Sequence, residues 1–220
     1  MINTETSKLK LMVVTVGIIT GIIGILSGSS QLLSGSILIE GNNIKALPLN
    51  FPNLDLYTKM NGYGVFTLLT GIPYFANGLL AITASITLII CCLTVVKISR
   101  SSGVLYFFLL NVVILCFGAS MSIPILEGFP AAGIALLALF MKDKERDISS
   151  KRNLLALFNF FYWWNIFSWV LFFPVMFVMS FYREIPQPLF MFMGLSMPIA
   201  TIGALITGLI YDKSISTNEA

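Results

Sequence analysis

The chain contains no histidine. That absence removes every mechanism with an imidazole base and every His-ligated haem or metal centre. Charge is scarce too: 10% of the 220 residues are Asp, Glu, Lys or Arg, against about 25% in a soluble domain. A globule of this size needs a polar exterior, which so few charges do not supply. Cysteine is limited to Cys91, Cys92 and Cys116. An odd number, with two adjacent and all in apolar runs, gives no disulfide framework and reads as buried thiols. S-acylation of Cys91 or Cys92, near the basic end of a helix, is the lesser alternative. There is no GxSxG, no GxxxxGK[ST] and no exposed polybasic stretch with interleaved aromatics, so serine hydrolysis, phosphate cradling and nucleic-acid binding have no support. No catalytic residue, cofactor or metal set emerges.

What is present is apolar. Hydrophobic residues make up 57% of the chain, and they cluster in long uncharged runs. Lipid is the solvent that accepts such a chain. A helix crossing a hydrocarbon core about 30 Å thick needs about 20 apolar residues. The first run, Leu11 to Gly28, follows Lys8 and Lys10. It also fits the outline of a cleaved signal peptide, but we read it as an uncleaved span. The second runs from about Val65 to Val96, tilted or kinked near Pro73. From Ser101 to Met141 the only charge is Glu127. Glu127, Gly128 and Pro130 lie together midway, which predicts a hairpin with arms 103–123 and 130–141. The last two spans occupy Asn153 to Tyr182 and Leu189 to Tyr211.

Charge placement supports this count. With six spans and the N-terminus inside, the cytoplasmic segments hold Lys8, Lys10, Lys97, Arg100, Lys142, Lys144, Arg146, Lys151, Arg152 and Lys213. The outer segments hold only Lys45, Lys59 and Arg183, the bias of the positive-inside rule. The expected fold is therefore an all-α, polytopic transmembrane bundle forming one domain over 1–220, with both termini cytoplasmic. A basic linker is expected over 142–152. The outer cap, about 29–64, carries a β-hairpin signal in SILIE-GNN-IKAL. A first outer loop with β-structure is similar in layout to tetraspan-like junctional proteins. Their diagnostic tryptophan and paired cysteines in that loop are absent here, so the likeness is architectural alone. The pairs of spans show no internal repeat of the kind that marks many transporters.

Two sets of residues stand out. Asn77, Asn111, Asn159 and Asn165, with Thr83, Thr87, Ser168 and Thr201, are polar groups inside spans. An unpaired amide in lipid is costly, so interhelical hydrogen bonding is their expected role and the lining of a solute pathway the alternative. Glu127 is expected at the outer hairpin turn, as the polar residue that ends a span; guarding an entrance or binding a cation is its alternative. No carboxylate is expected at the centre of a span, so proton-coupled transport has little to work with. The second set is small: Gly17, Gly21, Gly24 and Gly28 on the first helix, and Ala200, Ala204 and Gly208 on the last. Their spacing lets helix backbones approach closely, and the first and last helices are expected to pack together.

The expected partners are the lipid bilayer and other membrane protein subunits. The leading functional expectation is a non-catalytic subunit or assembly factor of a membrane complex. The alternative is a small transporter or channel for a neutral or lipid-like solute.

Overall fold

The computed structural model describes residues 7–41, 67–94, 101–118, 123–141, 148–179 and 187–215. Regular structure among them is helical: α1 (Lys8–Leu33), α2 (Tyr74–Thr94), α3 (Ser101–Cys116), a π turn (Pro124–Gly128), α4 (Phe129–Phe140), α5 (Ile148–Met179) and α6 (Gln187–Ile215). Four stretches are long and apolar enough to cross a bilayer: Lys8–Leu33, Tyr74–Thr94, Ser150–Phe172 and Leu195–Ser214. Ser102–Cys116 and Pro124–Phe140 are shorter apolar helices.

The helices start where backbone chemistry allows. Ser7 is the N-cap of α1, its hydroxyl accepting from the Lys10 amide at 3.2 Å, which satisfies one of the orphan donors of a first turn. The second expected span was too long at its N-terminal side. Pro73 does not kink it but precedes it. The first free amides of α2, on Tyr74 and Phe75, donate to the carbonyls of Ile37 and Gly35. The segment following α1 thus caps α2. Leu38 and Pro73 form an isolated β-bridge there, and no strand occurs among the described residues. The rest of the expected β-hairpin, from residue 42 on, lies outside the described residues. α1 continues to Leu33, into residues expected in the outer cap, and α5 begins at Ile148, within those expected in the basic linker.

α1 is the hub, touching α2, α3, α4, α6 and the π turn. One side carries the glycine stripe, and its partner is a correction to the expectation. Gly21 and Gly28 lie against α2: a Cβ on Gly21 would stand 3.0 Å from the Ser85 carbonyl, and one on Gly28 3.0 Å from the Gly78 carbonyl. A Cβ on Gly17 would meet Cys92 and Phe107. Gly24 is buried in the same helix. The first and last helices do pack together, but through α6's small residues. Ala200 and Ala204 are fully buried, and a Cβ on Gly208 would stand 3.1 Å from the Leu9 amide. Leu9, Met12, Val13 and Val16 complete this core with Ala131, Ala135, Phe158 and Leu205. Of the three thiols, Cys92 is buried while Cys91 and Cys116 are half-buried, and all are free.

At the C-terminal end of α1 the polar residues tie off the end of α3. Asn77 Nδ2 donates to Gln31 Oε1 (2.6 Å) and to the Phe117 carbonyl (2.8 Å), and Gln31 donates to the Phe117 and Gly118 carbonyls. Thr67 donates to the Cys116 carbonyl. The last carbonyls of a helix have no intrahelical donor, so these side chains supply it. Replacing Asn77 by leucine is expected to lower the midpoint of thermal unfolding in detergent, at a cost of about 1–3 kcal/mol for unmet buried polar groups. An unchanged midpoint would remove Asn77 from the packing role.

The opposite end is closed by Asp212 of α6. Its carboxylate accepts from the Ser7 hydroxyl (2.6 Å) and from the amides of Lys8 (2.9 Å) and Leu9 (3.0 Å). An acid at a helix N-terminus meets both the free N–H groups and the positive end of the helix dipole. The beginning of α1 and the end of α6 therefore lie together.

Candidate functional site: a buried carboxyl in a π turn

Expected at a turn, Glu127 stands instead within continuous helix. The π turn runs into α4 without a break, the Phe129 amide donating to the Pro124 carbonyl. Pro130 accounts for it locally. Proline has no N–H to give the carbonyl four residues back, and its ring crowds that carbonyl. One extra residue in the turn relieves the crowding, and such bulges recur at functional sites. Gly128 allows α3 to close in, since a Cβ there would collide with the Asn111 amide.

The consequence is that Glu127 is 1% exposed. It is the only charged residue buried among the described residues. Its depth follows from its neighbours. Thr201 faces it from α6, eleven residues before Asp212, which is about 16 Å of helix. The carboxyl therefore lies well inside the bundle, away from the end that Asp212 closes.

Three side chains surround the carboxyl: the Thr201 hydroxyl, the Trp169 indole and the Asn165 amide. Asn165 Nδ2 donates to Thr201 Oγ1 at 2.6 Å. With its oxygen already accepting, the Thr201 hydroxyl proton is left to point at Glu127. Hydrogen bonding is incomplete, however. Glu127 Oε2, Asn165 Oδ1 and Trp169 Nε1 are buried and have no partner in hydrogen-bonding geometry. Neither has Asn111 Oδ1, although its Nδ2 donates to the Phe107 carbonyl at 2.8 Å. Buried polar atoms normally find partners. Three of these atoms, on Glu127, Asn165 and Trp169, belong to the one cluster; Asn77 Oδ1, at the far end of α1, is a further buried atom of this kind.

No family model, curated protein or solved structure matches the chain. The site is therefore argued from its own chemistry.

Of the residues singled out in the sequence, Glu127 and Asn165 meet in this cluster, and Asn111 borders it across Gly128. Asn77 belongs to the tie at the far end of α1. Asn159 is exposed, beside the exposed Phe160 and Trp163. Thr83 and Thr87 do not bridge helices. They are exposed and donate to the Leu79 and Thr83 carbonyls one turn back, which satisfies a hydroxyl without a neighbour. Trp169 was missed, as were Gln31 and Asp212. The signal for Trp169 was its spacing, one turn beyond Asn165 and on the same helix face. No group of three or more Cys, Asp or Glu suited to a metal ion occurs among the described residues.

Proposed function

We propose that this protein is a small membrane transporter whose solute is held, part-way across, at the Glu127 cluster. In this reading all six helices cross the bilayer and both termini are cytoplasmic. The hydrogen-bonded ends of α1 and α6 fit an even number of crossings, and the bias of the basic residues supports the cytoplasmic side for both. Burial of Glu127 carries the functional reading. An ionisable residue at membrane depth is expensive, and such residues mark solute and ion pathways. Sequence alone put a non-catalytic subunit first for want of catalytic groups, for its apolar outer loop and for the aromatic surface of the fifth helix; the burial of Glu127 weighs against the separate expectation that no carboxylate lies within a span.

The test is solute flux in liposomes carrying the purified protein. Wild-type vesicles are expected to leak or accumulate solute beyond empty controls, and E127Q to lower that flux about tenfold or more, the effect of losing a contact worth 1.4 kcal/mol. Wild-type vesicles as tight as empty ones would overturn the reading.

A second reading, a subunit held in a larger membrane complex, draws on the outward face of α5. Phe160, Trp163 and Phe167 are exposed there with Asn159. Asn159 lies seven residues past Arg152, about 10 Å along the helix, where an amide facing lipid is costly. Gentle detergent extraction from the native cell, with sizing and mass analysis, separates the two. A stoichiometric partner supports the subunit reading; a clean monomer or homo-oligomer removes it.

A further inference from the structure

We propose that the Glu127 cluster binds a monovalent cation and a proton in turn, so that the protein exchanges one for the other across the membrane. This rests on the transport reading above and adds the chemical class of the solute.

No Lys or Arg is buried among the described residues, so none of them gives an ionised Glu127 a buried counter-charge. A bare charge in the interior of a bundle is too costly to persist. Either a proton or a cation from outside must neutralise it. Thr201, Trp169 and Asn165 stand ready with donors around the carboxyl, an environment suited to the charged form once a cation is present.

The unpartnered atoms choose the ligand's sign. At the carboxyl, Glu127 Oε2 and Asn165 Oδ1 are acceptors without a partner, whereas Trp169 Nε1 is the one donor without one. Carboxylate and carbonyl oxygens suit hard cations and ammonium groups, and an anion finds a carboxyl where it needs a donor. The charge is limited to one. One carboxylate carries one negative charge, which one monovalent cation cancels, whereas a divalent ion there would leave a net positive charge buried. An alkali ion and a small primary ammonium share this chemistry.

Exchange follows from the count of charges. The protonated carboxyl releases one proton as it takes up one monovalent cation, and the reverse step releases the cation as the O–H bond re-forms. Each half-cycle leaves the site neutral. Among the described residues Glu127 is the only buried Asp, Glu, Lys or Arg. The π turn meets Asn111 from α3, Asn165 and Trp169 from α5, and Thr201 from α6. From α1, Ile23 packs in one cluster with Ile123, Trp169 and Met197, and the first turn of α4 buries Ala131 and Ala132.

The experiment uses the full chain in liposomes with a pH-sensitive dye inside and the membrane potential clamped. Sodium, potassium and methylammonium are added outside in separate runs, with tracer uptake followed in parallel. At least one cation is expected to enter while the lumen turns alkaline, one proton leaving per cation. E127Q is expected to lose both movements while eluting and melting as the wild type does. T201V keeps the shape of the side chain without its hydroxyl, and is expected to raise the half-saturating cation concentration about tenfold, a loss of 1.4 kcal/mol. The arms separate alkali ion from ammonium. Cation uptake without a change in lumenal pH would overturn the exchange and leave transport standing. Exchange that persists in E127Q would overturn the site. Failure of every solute to move would remove the transport reading and this inference with it.

Discussion

Leucine at position 78 is expected to keep α1 and α2 from assembling. Gly78 stands where the two helices pass closest. A Cβ there would lie 2.7 Å from the Leu32 amide nitrogen and 3.1 Å from Gln31 Cβ, and Gly28 opposite is equally confined by the Gly78 carbonyl. Backbone atoms of a packed helix cannot swing aside as a side-chain tip can. The helices must therefore separate, and α1 and α2 share the most extensive helix contact in the bundle. Without water to drive helices together, close packing is much of what holds such a pair. A cost of about 3 kcal/mol or more is expected, at the upper end for overpacking. Sizing of the detergent extract should show loss of the monodisperse peak. Gly133 provides the control, since nothing lies within 4 Å of a Cβ built there. Gly133→Ala should leave the peak intact and raise the unfolding midpoint slightly, by the helix propensity gained. If Gly78→Leu and Gly133→Ala behave alike, the α1–α2 crossing is wrong.

Removing the Asp212 carboxylate is expected to free the start of α1. Three donors converge on it, from Ser7, Lys8 and Leu9, and two are amides that no residue within the helix can satisfy. Loss of a cap together with a favourable charge at the helix N-terminus costs about 1–2 kcal/mol. Asp212→Ala should lower the unfolding midpoint and expose the region around residue 7 to protease. Asp212→Asn keeps an acceptor oxygen but not the charge, so it should fall between. Ser7→Ala should cost less than Asp212→Ala, because the two amide bonds to the carboxylate remain. Equal protease resistance in Asp212→Ala and wild type would show that the clasp contributes nothing.

The membrane character of the chain was legible because it depends on composition and run length alone. Each helix of the bundle falls within or beside a run identified from missing charge. What stayed hidden was pairing. Gly17, Gly21, Gly24 and Gly28 announce a close approach by their spacing, but spacing names no partner. That partner is α2, set by Gly78 and Ser85 across the interface. Glu127 was misplaced for a different reason. Glu, Gly and Pro in sequence are what a turn uses, and a π turn uses the same residues to absorb a proline inside a helix. Length held the clue. An arm beginning at Pro130 is too short to cross, whereas adding Pro124–Gly128 lengthens it and carries Glu127 inward with it. Asn159 and Asn165 were grouped as equals, although six residues on a helix turn them to different faces. One looks outward and the other meets Thr201.

The Asp212 clasp also bears on how the chain is made. The first helix leaves the ribosome about two hundred residues before the carboxylate that caps it, a delay of roughly 10–40 s at 5–20 residues per second. Throughout that interval the amides of Lys8 and Leu9 must be served by water or lipid headgroups. The start of α1 and the end of α6 can meet only once α6 has followed, so until Asp212 is in place the protein itself offers those two amides no carboxylate.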